Sequence, residues 1–151
     1  IKDKMLGQLE QISSQSETGL LPDFIWVEKS GARVADANTI ESQYDGAYSY
    51  NACRLPYHLA QSRDERSQKI VQKMMTFFMK EKRIYAGYDL QGHALNQYQA
   101  GSFLAPITYA ANTVEGNLKL LQQNKYIFTQ DLPLDNYYDA TMITMIALEL
   151  F

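Results

Sequence analysis

The chain has 151 residues, 46% hydrophobic and 21% charged, with a formal net charge of -3. That is the length of one domain, with enough apolar side chains for a sizeable core. Its dispersed, weakly acidic charge excludes a reader of phosphate backbones, which would cluster Lys and Arg. One cysteine, Cys53, excludes an internal disulfide, and a small packed side chain is the plain reading of a lone thiol.

The chain opens on Ile1, Met5, Leu9 and Ile12, spaced as on one face of an amphipathic helix. A Ser/Thr/Gly cluster over residues 13–19 should end it. Residues 20–28 are short and apolar, with Pro22 and the single tryptophan, Trp26, and residues 30–46 read as a long polar surface loop carrying Asp36, Glu41 and Asp45.

A helix is expected over residues 49–61, with Pro56 restricting its first turn. Side chains three and four apart share a helix face, so Tyr50, Asn51, Arg54, Tyr57 and His58 should form a polar, aromatic stripe, with Ala52, Leu55 and Leu59 opposite. Flat rings beside a forked donor suit a cleft for sugars, whose faces stack and whose hydroxyls accept hydrogen bonds.

A second helix should follow, capped by Ser62 or Asp64, with Ile70, Val71, Met74, Met75, Phe77 and Phe78 on a wide apolar arc. Residues 83–99 break the pattern with Gly87, Gly92, Tyr85, Tyr88 and Tyr98. Further helices are expected over residues 102–111, 114–124 and 136–151, the last apolar nearly all round and so buried on most sides.

The order of these pieces resembles the C-terminal half of glycoside hydrolase family 8, which holds endoglucanases, chitosanases, lichenases and xylan-active enzymes. Gly19-Leu20-Leu21-Pro22-Asp23-Phe24 is similar to the family's Gly-Leu-x-Pro-Asp-Trp segment, and Tyr50-Asn51-Ala52-Cys53-Arg54-Leu55-Pro56 to its Tyr-Asp-Ala-x-Arg-x-Pro. Asp64-Glu65-Arg66 followed by Phe77-Phe78, the turn over residues 85–92, Phe103-Leu104-Ala105-Pro106 and the closing Tyr137-Tyr138 helix keep the family's order. The resemblance implies an all-α fold, a partial (α/α)6 toroid of about half a barrel with long aromatic loops, formed by residues 1–151 as a portion of a larger catalytic domain.

It also implies inverting hydrolysis of a β-linked polysaccharide (cellulose, β-glucan or chitosan-like), with an acid protonating the leaving oxygen and a base activating water. The acid belongs to the family's N-terminal half. In one branch the base is the Asp that is Asn51 here, and a carboxamide cannot serve as base near neutral pH. In another branch that position is Asn and a loop Glu is the base, which points to Glu41, with Asp36 and Asp45 as alternatives; Asp45 is equally a candidate helix cap. Arg54 is expected to hold the base or the water, or to pair with Asp23, and Trp26, Tyr44, Tyr50 and Tyr88 are the candidate sugar-binding rings.

No cofactor is expected: His58 and His93 lack partners at metal-ligand spacing, and no nucleotide-binding glycine motif is present. The expected partners are a polysaccharide or oligosaccharide and, through an exposed half-barrel face, a second copy; no nucleic acid and no membrane span are expected in this segment. The start at Ile1 and the end at Phe151 read as a piece of a secreted or cell-surface protein, its signal outside this segment and the piece inactive alone. The competing reading is a non-catalytic helical domain that binds glycan or protein.

Overall fold

A computed structural model describes residues 1–151. In chain order it has α1 (Lys2–Ser14), β1 (Ile25–Glu28), β2 (Gly31–Val34), a 3-10 turn (Ala52–Arg54), α2 (Leu55–Gln61), α3 (Glu65–Phe78), α4 (Gly101–Thr113), α5 (Leu118–Asn124), a second 3-10 turn (Lys125–Phe128) and α6 (Tyr137–Leu150). The strands form an antiparallel hairpin in which Trp26 faces Arg33 and Val27 faces Ala32.

The expectation of an all-α partial toroid is overturned. Helices hold about half of the residues, and a β-hairpin and backbone bridges at Tyr48, Tyr88 and Ala94 organise much of the rest. The hairpin lies where the sequence reads as an apolar piece and a loop. Strands of four residues are too short to establish an alternating pattern, and this pair is fixed from outside: the Gln11 carboxamide of α1 accepts the Ala32 N–H at 3.0 Å.

One apolar core of 31 buried residues runs through all six helices. In α3 the wide arc packs inward through Ile70, Val71, Met74, Met75 and Phe78, and Asp64 caps the helix by accepting the Arg66 N–H at 3.0 Å. α4 is the most central helix, with ten of its thirteen residues buried. Its first N–H groups are taken by a residue distant in sequence, Asp139 of α6, whose two carboxylate oxygens accept from Gly101 and Ser102 at 3.0 Å each. A carboxylate there meets both the unpaired donors and the positive end of the helix dipole.

The closing helix differs from the expectation of burial on most sides. Met142, Ile143 and Ile146 are buried, but Tyr137 and Leu148 are more than three-quarters exposed and Met145 is partly so. No helix is long and apolar enough to cross a membrane.

Candidate functional site

The residue that shapes the site is Asp23, in the turn after Pro22. Its Oδ1 accepts three backbone N–H groups, from Ser49 at 3.0 Å, Asn51 at 3.1 Å and Ala52 at 2.7 Å. The ion pair between Arg54 and Asp23 raised by the sequence does not form; Asp23 holds the backbone that carries Tyr50, Asn51 and Arg54 instead. Burial raises its carboxyl above the ordinary value, against the opposing effect of those N–H donors.

Asn51 and Glu41, ten residues apart on different loops, are brought together: the Asn51 Nδ2 donates to Glu41 Oε2 at 2.8 Å. The Glu41 side chain is exposed and Asn51 half-buried, so the pair sits at the molecular surface with one carboxylate oxygen tethered. Arg54 is exposed, with Nε donating to the Asn51 carbonyl at 3.4 Å.

Beside them is a cluster of phenols. The Tyr50 ring meets Phe103 edge-on at 5.0 Å, and its hydroxyl is 3.2 Å from that of Tyr98. The Tyr138 hydroxyl donates to the Tyr50 carbonyl at 3.2 Å and is 3.6 Å from Cys53 Sγ. Burial, then the Tyr98 hydroxyl, raises the Tyr50 pKa, and burial raises that of Tyr138, so both stay neutral phenols able to donate. Burial likewise pushes the Cys53 thiol up to about 12, which leaves it inert at ordinary pH.

The remaining candidates separate. Tyr88 is fully buried, its ring packed edge-on against Phe77 at 5.4 Å and Phe78 at 5.9 Å, so it presents no face to a ligand. It is drawn inward because it exchanges both backbone hydrogen bonds with buried Tyr48. Trp26 is partly exposed on β1, with the Arg33 guanidinium 5.9 Å from its ring centroid. Tyr44 is half-buried on the Glu41 loop.

Of the alternative acids, Asp36 is engaged by Arg33 at 3.2 Å. Asp45 is fully buried, and its carboxylate accepts N–H groups of the loop, those of Ile40 and Ser42 among them, rather than those at the start of a helix. Tyr138 was not among the site residues read from the sequence; its place is set by the docking of α6, which the motif order alone does not reveal.

No cluster of three His, Cys, Asp or Glu side chains is placed to hold a metal ion. An open concavity of about 720 Å³ is lined by Gln68, Gln72, Lys73, Thr76 and Glu115 and excludes the Glu41–Asn51 pair.

No family model matches the chain. It is similar to a beta-glucanase of Niallia circulans, with 32% identity over 136 residues, which is 84% of this chain and 33% of that protein. The chain therefore spans about a third of the length of that relative. Its fold is similar to that of the apo structure of a beta-1,3-1,4-glucanase from Paenibacillus sp. X4, with a TM-score of 0.82 and 24% identity over 93% of this chain and 41% of the other. Both of these proteins are beta-glucanases.

Proposed function

We propose that the protein carrying this chain is a glycoside hydrolase that cleaves β-linked glucan with inversion, and that this chain forms the general-base side of its cleft. The observation that carries this reading is the exposed Glu41 carboxylate held at 2.8 Å by the Asn51 carboxamide. An amide in this place cannot take a proton, but its N–H fixes the orientation of an acid that can.

In this account Glu41 takes a proton from a water molecule as the water oxygen bonds to the anomeric carbon. The glycosidic C–O bond breaks, and the leaving oxygen takes a proton from a carboxylic acid in the remainder of the protein. Arg54, beside the Asn51 carbonyl, supplies N–H donors to the water or to substrate hydroxyls. Tyr50 and Tyr98 offer hydroxyls and partly exposed ring faces to a sugar.

The order of the sequence motifs, with Asn51 and a loop Glu in the roles of one branch, supports assignment to glycoside hydrolase family 8. The names of the relatives favour glucan, and mixed β-1,3-1,4-glucan first, over chitosan or xylan. A polymeric substrate of this kind is met outside the cell, which supports reading the protein as secreted or cell-surface.

The test is hydrolysis of mixed-linkage glucan, cellulose derivatives, xylan and chitosan by the intact protein and its Glu41→Gln variant. Loss of a general base costs about 10² to 10⁴ in rate, so glucan hydrolysis is expected to collapse in the variant. Full activity in Glu41→Gln removes Glu41 from the base role, and a wild-type protein that binds glucan without cleaving it leaves a non-catalytic glycan-binding domain.

A further inference from the structure

We propose that Asp45 is the positioning residue for Glu41, a role that rests on the reading of Glu41 as the general base. The loop that carries Glu41 is turned inside out around the Asp45 carboxylate. Asp45 Oδ2 accepts the N–H of Thr39 at 3.0 Å, of Ile40 at 2.7 Å and of Glu41 at 3.2 Å. Its Oδ1 accepts Glu41 N–H at 3.1 Å and Ser42 N–H at 2.8 Å. Four consecutive backbone donors, Glu41's own included, converge on one side chain that has no exposed surface.

The consequence for the side chains is geometric. With the backbone dipoles of residues 39–42 aimed inward, Thr39, Ile40 and Glu41 are left exposed. The loop is closed on itself by Asn38 N–H to the Ser42 carbonyl at 2.9 Å and Asp45 N–H to the same carbonyl at 3.2 Å, with Asn38 in the left-handed region at φ 60°. Asp45 is also tied to the hairpin, since its carbonyl accepts the Phe24 N–H at 2.9 Å. A base must be held where the attacking water is bound, and Asn51 alone fixes only the far end of the Glu41 side chain. Asp45 fixes the near end, at the Glu41 backbone.

Burial alone would raise the Asp45 pKa, but the four N–H donors together lower it. The converging N–H donors thus favour its ionised form. No neutral side chain of the same size accepts four converging donors: an Asn in this place turns an N–H₂ group toward two of them.

The test is a double-mutant cycle on the intact protein with mixed-linkage β-glucan, comparing Asp45→Asn, Glu41→Gln and the pair. A misplacement of about 1 Å costs on the order of 10² in rate, so Asp45→Asn is expected to lower kcat about 10²-fold with KM nearly unchanged. The double variant is expected to be no slower than Glu41→Gln alone, because a base that is absent has no position to lose. Losses that multiply, or wild-type kcat in Asp45→Asn beside a dead Glu41→Gln, overturn the positioning role while leaving Glu41 as base. An active Glu41→Gln overturns both.

Amide hydrogen exchange of the wild-type protein supplies a readout that needs no folded variant. Thr39, Ile40, Glu41 and Ser42 are expected to exchange slowly as a group despite their outward side chains. Exchange at the rates of an unprotected loop refutes the cage.

Discussion

Replacing Asp23 separates two things a buried carboxylate does: accepting hydrogen bonds and carrying charge. Its Oδ1 takes the N–H groups of Ser49, Asn51 and Ala52. Asp23→Ala leaves all three without an acceptor, and at roughly 1 kcal/mol of net stability per hydrogen bond the loss is about 3 kcal/mol. The charge is a different matter. Because burial raises the folded pKa above the 3.8 of a free Asp, this group favours folding most when protonated. Its contribution is fully present below pH 3.8 and declines as pH rises through the folded value. At neutral pH the ionised form is therefore held for its acceptor geometry, and Asp23→Asn, which keeps one carbonyl oxygen, should cost about 1 kcal/mol or less. Urea unfolding at pH 7 reads both, as a shift in midpoint with unchanged slope. An Asp23→Ala variant within about 0.5 kcal/mol of wild type, below even one lost hydrogen bond, refutes the reasoning, as does an Asp23→Asn variant as unstable as Asp23→Ala.

Three further outcomes are expected. Gly101→Ala places a Cβ 2.5 Å from Ile143 Cδ1 and 2.8 Å from its Cγ1, so overpacking of α4 against α6 should lower stability by about 1–3 kcal/mol in a thermal or urea transition. Cys53, its thiol pushed up to about 12 by burial, should resist iodoacetamide at pH 8 in the native protein and react readily in urea. Asp64, held at about 2 rather than 3.8 chiefly by Arg66, contributes stability that is present above pH 3.8 and lost as pH falls toward 2. Acid titration of Asp64→Asn should show a shallower loss of stability across that window than wild type.

The helices were legible because their period is local: Ile70, Val71, Met74, Met75 and Phe78 share one face whatever the rest of the chain does. The hairpin was not, since four-residue strands carry little periodic signal and Ala32 is held by Gln11 of another element. In α6 the apolar residues surround the helix, but only Met142, Ile143 and Ile146 among them are buried, with Tyr138 and Leu150 packed at the core's edge, and composition cannot distinguish these from exposed Tyr137 and Leu148. Glu41 and Asn51 could each be singled out as chemistry-bearing residues, yet their contact depends on a loop whose shape is dictated by Asp45. Asp45 reads in the sequence as an alternative base or a helix cap, and nothing in the sequence singles out Asp139. Each instead collects backbone N–H groups, four in a row for Asp45 and two from a helix 37 and 38 residues away for Asp139. Tyr88, a candidate stacking ring by sequence, is removed from the surface by its backbone exchange with Tyr48.

If Glu41 is the base of an inverting reaction, as proposed above, the configuration of the first product is set by it. The intact protein should be followed on mixed-linkage β-glucan by proton NMR in the first minutes, before the anomers equilibrate. A base acting through water delivers the α-anomer first, and that is the predicted result. The β-anomer appearing first means retention through a covalent intermediate and contradicts the account.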